Sequence, residues 1–180
     1  MKRITRNKEG KYPHYASDGN HKQSSAYMHI AEEASKYIIA IVERWKNDSS
    51  FSKSALNYAL RRACIMITGH LERNENMYYE ISERAQILAD TQDGVLYRGQ
   101  CIIEHPVPMK VINQKIIDEA KEPEDCVRIL RRWSRITIIT KEEDTELNRR
   151  YRTSMPEDWD GEDVWARYRK MGIKVLCEDY

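Results

Sequence analysis

The chain lacks most of the features that would declare a role. No apolar run approaches the roughly 20 residues a helix needs to cross a bilayer. The first residues hold no apolar stretch of the signal-peptide type. None of the four cysteines, Cys64, Cys101, Cys126 and Cys177, forms a C-x-x-C pair, so a zinc knuckle is not expected. Cys64 and Cys101 sit in apolar runs, which suits reduced, buried thiols and a cytoplasmic home. There is no glycine-rich phosphate loop, no G-x-S-x-G elbow and no dinucleotide fingerprint, so neither a nucleotide cofactor nor a serine hydrolase is expected. Only 1 phenylalanine stands against 4 tryptophans and 11 tyrosines, so the aromatics should lie half-buried with polar tips in water. Excess charge is missing too. With 30 basic and 29 acidic residues the net charge is +1, and the whole-chain balance points to neither nucleic acid nor a membrane.

What is present is globular. Hydrophobic residues make up 41% of the 180 and charged residues 33%, enough for one domain with a real core. Residues 1–23 carry Lys2, Arg3, Arg6, Lys8, Lys11 and Lys22 with no apolar period and read as a flexible basic arm. Residues 24–180 read as a single α+β domain. Helices are expected over 24–47, 52–72 and about 80–90, from apolar residues at helical spacing. Asp93-Gly94 marks a turn. Val95–Glu104 reads as a strand with a bend at Gly99. Pro108 and Pro123 suit the first turns of two further helices. Residues 135–140, β-branched and short, form the best strand. Thr140-Lys141-Glu142-Glu143 matches a capping box for a helix to about Arg150. Asp160 is expected to cap a last helix ending before Gly172, with a short strand at 174–177. The expected architecture is a helical N-terminal half packed on a small, about three-stranded sheet with helices between the strands.

One segment offers chemistry. The strand through Ile103 delivers Glu104 and His105 to its end, and Pro106 and Pro108 stop it there. Histidine titrates nearest neutrality and takes a proton from water, while a carboxylate binds a hard divalent cation. Neighbours on an extended strand point to opposite faces, so the two converge only if the prolines break the pleat.

Glu104-His105-x-x-Pro108 resembles the first element of the HNH, or His-Me finger, nucleases. The resemblance implies a phosphodiester hydrolase using Mg²⁺ or Mn²⁺. His105 would be the general base and Glu104 a catalytic residue and metal ligand. A further metal ligand, Asp144 or Asn148, would come from the helix after the second strand. Two expected helices intervene between His105 and that strand, which departs from the compact family pattern.

Three clusters interleave arginine with an aromatic ring: Arg131-Arg132-Trp133, Arg149-Arg150-Tyr151-Arg152 and Arg167-Tyr168-Arg169-Lys170. Facing one way, they would hold nucleic-acid phosphates and stack on bases. Their place at helix C-termini, opposite acids at the starts, is also what helix electrostatics favours. Two rival readings therefore stand beside the nuclease. One is a non-catalytic nucleic-acid- or protein-binding accessory module of the phage or mobile-element type, with Glu104 and His105 structural. The other is a protein that forms a homodimer through its helical half. No membrane partner is expected.

Overall fold

The computed structural model describes residues 3–5, 25–74, 80–92, 94–97 and 99–176. The expected basic arm lies largely outside them. Arg3–Thr5, within that stretch, form strand β1.

Two long helices come first. α1 (Ser25–Asn47) buries Ala31, Ala34, Ser35, Ile38 and Val42, one stripe at helical spacing. α2 (Lys53–Asn74) buries Leu56, Leu60, Ala63, Cys64 and Ile67. Ser52 starts it, its hydroxyl accepting the Ala55 amide at 3.1 Å. The two pack together as an antiparallel hairpin. α3 (Glu83–Asp90) follows a two-residue strand, β2 (Glu80–Ile81). Gly94 turns the chain with φ 78°, a conformation side-chain-bearing residues avoid.

The strand expected over 95–104 is divided at Gly99-Gln100 into β3 (Val95–Tyr97) and β4 (Cys101–Glu104). β3 pairs with β1, and β4 joins another sheet. α4 (Met109–Glu119) starts after Pro108, and α5 (Pro123–Trp133) has proline at its first position. β5 (Thr137–Thr140) is buried throughout and leads into α6 (Lys141–Tyr151) through the expected capping box. α7 is short, Ala166–Met171, and ends on Gly172 at φ 68°.

Asp160 does not cap α7. Its carboxylate accepts the amides of Glu162 and Asp163 and closes a turn well before the helix begins. Gly161 at φ 82° and the intervening turn at Val164-Trp165 delay the helix to Ala166. A short strand is expected over 174–177; among its described residues Val175 bridges to Ser82, and Cys177 lies outside the described residues.

The sheet has order β2-β5-β4, with β2 parallel and β4 antiparallel to β5. Its register aligns Glu80, Thr137 and Glu104 in one row across all three strands. One face carries Ile81, Cys101 and Ile138, packed with Ala85 and Ala89 of α3 and Leu96. The other packs Ile139 against Leu147, Trp165, Tyr168, Ile173 and Val175. The largest core lies apart, among α1, α2, α4 and α5. Val164 touches both it and the second sheet face, tying helices to sheet. The architecture is α+β, with the helical layer drawn from both halves of the chain. Among the described residues no helix is long and apolar enough to cross a membrane.

Candidate functional site

β4 ends on Glu104 and the two prolines turn the chain into α4. Glu104 faces the side of the sheet that α6 and α7 cover, in the row with Thr137. Its carboxylate is taken at both oxygens. Oε1 accepts Arg167 Nη2, and Oε2 accepts the Tyr168 hydroxyl at 2.8 Å. Arg167 is fully buried, with more partners than this one. Its Nε donates to the Pro106 carbonyl, Nη2 also to the His105 carbonyl, and Nη1 to the Tyr151 carbonyl at 2.8 Å. One guanidinium thus joins the proline corner, the end of α6 and α7. A buried cation is tolerated only with its donors filled, and here acceptors surround it.

Burial pushes the Glu104 carboxyl above its ordinary value, and the Asp144 charge adds to the rise. Arg167 and the Tyr168 hydroxyl oppose it. The Tyr168 phenol is driven well up by burial, then by the Glu104 charge beside it. Both shifts describe an enclosed node in which a carboxylate is held by a cation and a neutral phenol.

The expected site residues separate. Glu104 and Asp144 do come into electrostatic reach of each other, because α6 runs back along β4. Asn148, one turn on, donates to Asp144 Oδ1 at 2.8 Å and occupies it. His105 is half-buried, and its Nδ1 lies 3.1 Å from the Arg135 carbonyl, where the chain enters β5. Among the described residues no group of three or more histidines, cysteines, aspartates or glutamates is arranged to hold a metal ion.

The seven arginines divide as well. Arg167 was expected on a phosphate-binding surface and belongs instead to the interior, because its helix turns inward with Trp165 and Tyr168. Arg132 is exposed and paired with Glu162, and Arg169 with Asp163. Arg131 and Arg132 line a groove of about 850 Å³ between α1 and α5, together with Glu32, Lys36, Glu124 and Arg128. Arg149, Arg150 and Arg152 are exposed around half-buried Tyr151, and none makes an ion pair with a described residue.

Sequence reasoning missed the Arg167–Tyr168 clamp. The available signal was physical: an acid expected at the end of a buried strand requires a cation. Which of the many arginines supplies it depends on tertiary placement. No protein-family model, no curated protein and no solved structure matches this chain.

Proposed function

We propose that this chain is a non-catalytic nucleic-acid-binding accessory module in which the Glu104–His105 corner is structural. The observation that carries the reading is the Arg149-Arg150-Tyr151-Arg152 cluster. Its three guanidiniums are exposed and unpaired among the described residues, whereas Arg132, Arg167 and Arg169 are each held by a carboxylate. Unneutralised arginines beside an aromatic ring suit phosphates and a stacked base. The structural part of the reading is supported by the commitment of both Glu104 oxygens to Arg167 and Tyr168.

The test is fluorescence anisotropy with a labelled duplex and a labelled single-stranded RNA across a salt series. The wild type binds at least one of them with marked salt dependence. Replacing Arg149, Arg150 and Arg152 by alanine weakens binding about tenfold or more and lowers the log–log salt slope by about 2 to 3, near 0.9 per lost phosphate contact. His105→Ala leaves affinity unchanged. Equal binding by the triple variant overturns the reading.

One observation favours the metal-dependent nuclease as a second reading: α6 brings Asp144 near Glu104. There His105 would be the base, with Glu104, Asp144 and Asn148 around Mg²⁺ or Mn²⁺. Plasmid nicking in either metal that disappears in His105→Ala would establish it in place of the first.

A further inference from the structure

The outer face of α2 is an unusual surface. Tyr58, Arg62 and Ile65 follow one another at i, i+4 and i+7, so they form one stripe directed away from the core residues Leu60 and Ile67. Arg61 and Met66 flank it. Tyr58 is 66% exposed, Ile65 49% and Met66 47%, which places three large apolar side chains on two turns of one helix. Scattered exposed apolar residues are ordinary, but a contiguous stripe is the mark of an interface. The Arg62 guanidinium sits 5.6 Å from the Tyr58 ring centroid, and neither Arg61 nor Arg62 makes an ion pair with a described residue. From Lys53 to Leu71 the chain has no acidic residue at all.

These features select the occupant. A second copy laid on this face by two-fold symmetry, α2 against α2, would set Arg61 and Arg62 against a helix that has no acid from Lys53 to Leu71. Nucleic acid would suit the arginines and the tyrosine but would leave Ile65 and Met66 without an apolar partner. A helix with an apolar stripe flanked by glutamates or aspartates satisfies both demands, burying Ile65 and Met66 and pairing Arg61 and Arg62. We infer that the outer face of α2 is a docking surface for an acidic amphipathic helix of a partner protein. The inference does not rest on the nucleic-acid reading, since it uses none of the residues at the end of α6.

The test titrates the full chain with two synthetic helical peptides of about 18 residues, five turns in length. Both carry leucines at i, i+4 and i+7. One flanks them with glutamates and the other with lysines. The glutamate peptide binds the wild type and the lysine peptide does not. Arg61→Glu combined with Arg62→Glu weakens the glutamate peptide about tenfold or more and gains the lysine peptide, a rescue that an unfolded variant would not give. Ile65→Gln weakens both matched pairs. The reading is overturned if neither peptide binds, if both bind equally, or if charge reversal has no effect. A concentration-dependent mass abolished by Ile65→Gln would assign the face to a second copy. Loss of duplex binding in the charge-reversed variant would assign it to nucleic acid. The same variant keeps Arg149, Arg150 and Arg152, so duplex binding and peptide binding fail or succeed separately.

Discussion

At the residue scale the molecule turns on Arg167. Its side chain is fully buried, and it holds a carboxylate and three backbone carbonyls. Truncation leaves Glu104 buried without its cation and three acceptors without a donor. Arg167→Ala should therefore cost about 3 to 5 kcal/mol in urea unfolding, well above an exposed arginine such as Arg150. Arg167→Lys should recover only part of this, because an ammonium cannot reproduce the fork. Glu104 also gives a pH signature. Its folded carboxyl titrates above the ordinary 4.5 because of burial. A raised folded value means the contribution is complete below the unfolded value and is lost as pH rises through the folded one. The stability advantage of the wild type over Glu104→Gln should accordingly shrink between pH 4 and pH 8, measured by urea unfolding at both. The thiols offer a third check. Burial pushes Cys64 and Cys126 up to about 12 and Cys101 to about 11, so none supplies thiolate at neutral pH. Alkylation of the native protein followed by mass spectrometry should leave all three unmodified until denaturant is added.

At the element scale one carboxylate joins two helix starts. Glu143 is almost fully buried, and its Oε2 accepts the Thr140 amide at 2.8 Å and the Ser82 hydroxyl at 2.7 Å. Ser82 in turn caps α3, its hydroxyl oxygen accepting the Ala85 amide at 3.1 Å. Glu143→Ala should cost about 2 kcal/mol, more than the roughly 1 kcal/mol of an ordinary cap, because it strands donors in a dry environment. The two alanine variants Glu143→Ala and Ser52→Ala, compared by urea midpoint, check the difference. The Thr140–Glu143 half of this device is legible in the sequence, since a capping box is local and its members lie three residues apart. The Ser82 half is not, because β2 reaches it only through parallel pairing with β5, and two residues carry no period. The same division runs through the chain. α1, α2, α4, α5 and α6 are legible from stripes, prolines and caps. α7 starts later than its apparent Asp160 cap because that carboxylate satisfies a tighter turn first. Glu104 and His105 stand out in the sequence as a corner. Arg167 looks like surface charge there, among Tyr168, Arg169 and Lys170, and only the packing of Trp165 and Tyr168 against Ile139 turns it inward.

At the scale of the whole molecule, helical and sheet cores are stitched together by Val164 and by Arg167, while the arginines at the end of α6 and on the outer face of α2 make no ion pair with a described residue. Because the chain is nearly neutral overall, any affinity for nucleic acid has to come from such local clusters, and the salt slope should count the arginines of one cluster, not the total charge. If Glu104 is committed to Arg167 and Tyr168, it serves as a joint and not as a metal ligand. Isothermal titration of wild type and Glu104→Gln with Mn²⁺ tests this directly when each protein is also unfolded in urea with and without the metal. No saturable binding should depend on Glu104, and the Glu104→Gln protein should be less stable by the same amount with Mn²⁺ or with chelator. One Mn²⁺ bound per wild-type chain, and lost in Glu104→Gln, would contradict it.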